Sequence, residues 1–162
     1  MKKIFLSLPM KGRDDCAINK TIESMKRIVT AYFPNEEIKF VHNFGDVLTA
    51  TEIVSLDTVK RPSLLYLGKA IGKMADCDYI AIINTNIDYI LGMEFHGCRI
   101  EEMVAEQYGI EPIILKDPIG KLLLTDLYEM AKEKKRIIDK NPEALVQNDK
   151  GDTGRYRCKS KN

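Results

Sequence analysis

His96-Gly97-Cys98-Arg99-Ile100-Glu101-Glu102-Met103-Val104-Ala105-Glu106-Gln107-Tyr108-Gly109-Ile110-Glu111-Pro112-Ile113-Ile114 reads as loop, helix, turn and strand in one pass. Ile100, Met103, Val104 and Tyr108 recur at helical spacing, Gly109 is the residue type that stops a helix, and an apolar run follows Pro112. A helix that turns at once into a short apolar strand is half of a βαβ unit, so this stretch sets the fold class. Read from sequence, Glu101 falls in the first helical turn. A carboxylate there lies among free backbone N–H groups at the positive end of the helix dipole, which favours its charged form and suits a nucleophile. First-turn acids also occur simply to complement the dipole, which is the alternative for Glu101 and Glu102 alike, and Glu102, one position round the helix, reads as solvated.

Working outward, residues 3–8 form a compact apolar run closed by Pro9, as in a buried parallel strand. The loop that follows sets Gly12 between Lys11 and Arg13, and Ile18, Ile22, Met25, Ile28, Val29 and Tyr32 then mark an amphipathic helix ending near Phe33-Pro34. Residues 37–41 alternate as a second strand, and residues 42–60 read as a loop with a short helix. Leu64, Leu67, Ile71 and Met74 mark the next helix, with Ser63 as its N-cap, and residues 78–84 make a near-continuous apolar central strand. The connection over residues 85–96 is long for this kind of fold, which marks it for function. Downstream, a strand over residues 112–115 leads to a last helix over residues 119–138, with Leu122, Leu123, Leu127, Met130 and Ile137 on one side.

The pattern predicts an α/β fold, an open, mostly parallel Rossmann/flavodoxin-like sheet of four to five strands flanked by helices. Ligands of such sheets bind at the carboxyl ends of the strands. Three segments meet on that rim: residues 7–13, residues 84–96 and the start of the Glu101 helix.

At 162 residues, 44% hydrophobic and 30% charged, the chain has globular composition, and one α/β domain is expected over residues 1–140. Residues 132–162 hold ten Lys/Arg against five Asp/Glu, while the rest holds fifteen against nineteen. The segment 141–162 therefore reads as a polar, basic, mobile tail; the net charge of +1 argues neither for nor against nucleic acid, but a basic, aromatic-poor tail is usually solvated, so no nucleic-acid partner is expected. Cys16, Cys77, Cys98 and Cys158 show no metal-ligand spacing and read as reduced thiols, Cys98 as packing. No apolar run approaches membrane-spanning length, and the segment before Pro9 is too short for a signal-peptide core, so a cytoplasmic location without membrane association is expected.

The series Gly97, Glu101, Ala105 and Gly109 at four-residue steps, followed by Pro112, resembles the signature of the nucleoside 2-deoxyribosyltransferase superfamily, which includes deoxynucleoside 5'-monophosphate N-glycosidases. Residues 3–13 and 74–80 are similar to that family's first strand with its nucleotide-gripping loop and to the segment opening its third strand. The resemblance implies that Glu101 attacks the anomeric carbon and forms a covalent glycosyl-enzyme, and that Asp78 assists with the base or its proton. It implies further that Ser7, Pro9, Met10, Lys11, Gly12 and Arg13 hold the sugar and any 5'-phosphate, with Arg13 and Lys11 supplying the charge. Asn84, His96 and Gly97 complete the expected substrate-binding set. Phe95 stands where the family commonly has a polar residue, six positions before the glutamate, with His96 beside it. On this reading the chain is an N-glycosidase or deoxyribosyltransferase that needs no cofactor or metal, takes a small nucleoside or nucleotide, and forms homo-oligomers with the last helix as contact. A non-catalytic nucleotide-binding protein of the same fold is the alternative.

Overall fold

The computed structural model describes residues 1–45, 60–86 and 95–141. Four strands, β1 (Lys2–Ser7), β2 (Ile38–Val41), β3 (Tyr79–Asn84) and β4 (Glu111–Lys116), form one all-parallel sheet in the order β2-β1-β3-β4. The described helices are α1 (Asp15–Tyr32), α2 (Ser63–Met74), α3 (His96–Gln107) and α4 (Thr125–Lys140). This is the α/β open sheet that the alternation of apolar runs and amphipathic stretches implies.

Alternation along β1 divides the core into two layers. Ile4, Leu6 and Leu8 pack with Ile18, Ile22, Met25 and Val29 of α1 and Leu127 and Ala131 of α4. Phe5, one residue out of phase, packs on the other face with Ala70 and Met74 of α2 and Ala105 of α3. Burying a side chain such as Phe5 or Met25 contributes roughly 1.5–3 kcal/mol. The order of strands reverses between β1 and β3. α1 packs on one face and α3 on the other, so the carboxyl ends of β1 and β3 form the switch point at which open α/β sheets bind their ligands.

Local chemistry fixes the boundaries. The Asp14 side chain accepts from the Ala17 N–H at 2.8 Å and caps α1. At the end of α3, Gly109 adopts φ 72°, the Ile110 N–H donates to the Ala105 carbonyl at 2.9 Å, and the Gly109 N–H donates to that of Glu106 at 3.4 Å. This is the paired closure that a left-handed glycine permits, and it delivers the chain directly into β4.

Some boundaries differ from the sequence reading. Ser63 is the first residue of α2 rather than its cap, and Pro62 before it makes no side-chain capping bond. The last helix begins at Thr125 instead of residue 119. Gly120 at φ 71° breaks the chain there, and the buried Asp117 carboxylate draws the Leu122 and Leu123 N–H groups into a tight turn at 3.2 and 2.7 Å. The expected short helix within residues 42–60, most of the connection over 85–96 and the tail beyond 141 lie outside the described residues. No described helix is long and apolar enough to cross a membrane.

Candidate active site

Ser7 is the last residue of β1, and strand alternation directs its side chain to the face that carries α2 and α3. There its Oγ donates to Glu101 Oε2 at 2.6 Å, across 94 residues of sequence. Both are buried, Ser7 at 2% and Glu101 at 6% exposure. Cys98, one helical turn before Glu101, shares this surrounding: burial and then the Glu101 charge push its thiol up to about 12, with the Ser7 hydroxyl acting the other way. The thiol is therefore held protonated, and a helix N-terminus does not activate it.

Glu101 is not where the sequence reading placed it. The helix begins at His96, so Glu101 is its sixth residue, and the first turn holds no acid. Its free N–H groups and dipole do not set the charge of the carboxylate. Burial does, raising the carboxyl to about 7 against the opposing hydrogen bond from Ser7. The inward stripe of α3 also differs. Glu101 and Ala105 are the buried pair, whereas Met103 and Tyr108, counted as core from their spacing, are 60% and 81% exposed.

Arg13 is likewise redirected. Its Nε and Nη2 donate to the two oxygens of Asp126 at 2.8 and 2.9 Å, Nη1 to the Pro9 carbonyl at 2.9 Å, and Nη2 also to Thr21 Oγ1 at 2.6 Å. The side chain is 1% exposed. Burial disfavours the Asp126 charge, but the bonds and charge of Arg13 outweigh it and hold that carboxyl below its ordinary range. This clamp ties the loop after β1 to α1 and α4, and a guanidinium so occupied is not a phosphate grip. The loop itself is a tight turn closed by the Arg13 N–H on the Met10 carbonyl at 3.2 Å, with Gly12 at φ 76° in its third position. A left-handed third residue is the type II geometry that favours glycine. Lys11 and Gly12 are exposed, Met10 is half-buried against the core, and Pro9 is buried.

Asp78 lies at the opposite, amino end of the strands. Its carboxylate accepts from the Lys3 backbone N–H at 2.8 Å, and its own N–H donates to the Lys3 carbonyl at 2.8 Å, which locks the amino ends of β1 and β3 together. Ser7 stands in register with Ile82, so Asp78 is four residues lower, about 13 Å away at the rise of a strand. It cannot share a substrate atom with Glu101. Asn84 is exposed at the carboxyl end of β3, and His96 and Gly97 are exposed at the mouth of α3. A Cβ built on Gly97 would meet nothing within 4 Å. Phe95, directly before α3, is half-buried against the layer formed with α1 and α4.

The structure thus gathers Ser7, Glu101 and Cys98 in contact, places Asn84, His96 and Gly97 on the same rim, turns Arg13 inward and separates Asp78. Cys98, read from sequence as packing, could have been found from its three-residue spacing to Glu101. Asp126 and Thr21 carry no sequence signal toward Arg13, because the fold alone brings them together. Against family models, curated proteins and solved structures, nothing matches this chain.

Proposed function

We propose that the chain is an N-glycosidase or deoxyribosyltransferase that acts on a nucleoside or nucleoside 5'-monophosphate through Glu101. The observation that carries this reading is the buried Ser7 and Glu101 hydrogen bond at the switch point between β1 and β3, at the carboxyl end of β1. With Oε2 held by Ser7, Oε1 is the oxygen that attacks C1' of the sugar. The bond from C1' to the base nitrogen breaks, the base leaves with the electron pair and is protonated, and water or a second base then displaces Glu101 from C1'. A carboxyl that titrates near 7 is ionised in a large fraction of molecules at neutral pH, as attack requires. Asp78 takes no part. His96, the first residue of α3, is of the right type to protonate the base.

The test is release of free base from a panel of deoxynucleosides and their 5'-monophosphates by the protein and by Glu101→Gln. Release should fall by orders of magnitude in the variant; no release from any substrate, or equal release by both proteins, refutes the reading. Phe95, packed in an apolar setting where a polar partner is expected, favours a second reading as a non-catalytic binder. Mass spectrometry that recovers a bound nucleoside chemically unchanged, without turnover, supports that one. We infer as well that copies associate through α4, on which Met130 and Ile137 are exposed apolar side chains.

A further inference from the structure

We propose that the cavity between the edge strand β2 and helix α2 binds a small organic phosphate, a dianionic head on an apolar body. The site is separate from Glu101 and does not depend on how that residue is read. Lys3, at its amino end, precedes Ser7 by four residues on one strand, about 13 Å at the rise of a strand.

The cavity holds about 500 Å³, the size of a small-ligand site. Its charge is gathered from three elements. Lys3 of β1 and Lys39 of β2 stand in register, and strand alternation turns both to the face that carries Phe5 and Val41. Lys73 reaches in from α2, its Nζ donating to the His42 carbonyl at 2.9 Å. Asp76 is the carboxylate among the lining residues. It bonds to Lys3, and that bond first, with Lys39 adding to it, holds the carboxyl below its ordinary range.

Three lysines thus face one carboxylate, within residues 1–131 that hold fifteen Lys/Arg against nineteen Asp/Glu. Like charges side by side on neighbouring strands oppose their pairing, a cost that a bound anion removes. A phosphate dianion accepts from several ammonium groups at once and matches an excess of positive charge drawn from β1, β2 and α2.

The helix side of the cavity is kept open. Gly72 lies inside α2, where glycine weakens a helix relative to alanine. A Cβ built there would meet nothing within 4 Å, so no close contact requires the missing side chain. Its absence leaves room for an apolar body against Val41 and Phe44, beside the lysines.

The experiment titrates the full chain with phenyl phosphate at low ionic strength, with phenol as the uncharged control, and follows the backbone amides by NMR. Saturable shifts are expected at Lys39, Val41, Lys73 and Cys77, with a Kd at or below about 1 mM and no such response to phenol. Lys39→Glu reverses an exposed charge and should weaken binding at least about tenfold. Gly72→Leu should keep or raise Tm while abolishing binding, because the new side chain fills the cavity and suits the helix. Glu101→Gln should leave the Kd unchanged. Absent shifts at those amides, an equal response to phenol, or binding that survives Lys39→Glu at full strength overturns the proposal. Binding lost in Glu101→Gln overturns it as well, since the phosphate would then sit at the nucleophile.

Discussion

The burial of Glu101 makes a prediction about stability that is independent of any reaction. The carboxyl titrates near 7 in the folded chain, against 4.5 for an unperturbed glutamate. For an acid raised in this way the protonated form is the one the fold favours. Its contribution is complete below the unfolded value of 4.5 and is lost as pH rises to the folded value near 7. A shift of this size corresponds to roughly 3 kcal/mol. Glu101→Gln has nearly the same shape, keeps an oxygen to accept from Ser7, and never ionises. The variant should therefore match the parent within about 1 kcal/mol at pH 4.5 and exceed it by up to about 3 kcal/mol at pH 8.5. In a chain of this size that is a rise in Tm of roughly 2–4 °C per kcal/mol. Urea titrations of both proteins at the two pH values measure it. If the gap is the same at both, Glu101 is charged in the folded state and the account of the site is wrong.

Ser7→Ala removes the hydrogen bond that, among the described residues, favours the Glu101 carboxylate, so the acid limb of any base-release profile should move to higher pH. A limb that stays in place would separate Ser7 from the nucleophile. Arg13→Met strips Asp126 of its buried partner and unties the loop after β1, and should cost about 3 kcal/mol in urea unfolding; a loss below about 1 kcal/mol would mean that the clamp is replaced by water. Met130→Glu together with Ile137→Glu should convert an associated species to monomer by light scattering, and a parent chain that is already monomeric at high concentration refutes contact through α4.

The fold was legible because its two strongest signals are local. A short apolar run such as residues 78–84, rich in isoleucine and only seven residues long, suits a strand covered on both faces, and a helix stopped by Gly109 and followed at once by Pro112 points to a parallel crossover. The site was legible only in part, for a physical reason that Arg13 and Asp78 share. A charged residue in a loop or at a strand start looks the same in sequence whether it faces a ligand or satisfies the backbone. Only tertiary neighbours distinguish the two, and those of Arg13 and Asp78 lie 113 and 75 residues away in the chain. Glu101 shows the converse. Apolar periodicity ranked Met103 and Tyr108 as the inward residues of α3 and passed over the glutamate, because the pattern counts hydrophobicity and not the need to place a carboxylate against Ser7. A helix that exposes a methionine and a tyrosine while burying a glutamate gives up apolar burial and accepts the desolvation of an acid. That trade opposes stability at the pH where the site would act, as the Glu101→Gln comparison measures. A cost carried at that position is what a reacting group requires and what a packing residue would not.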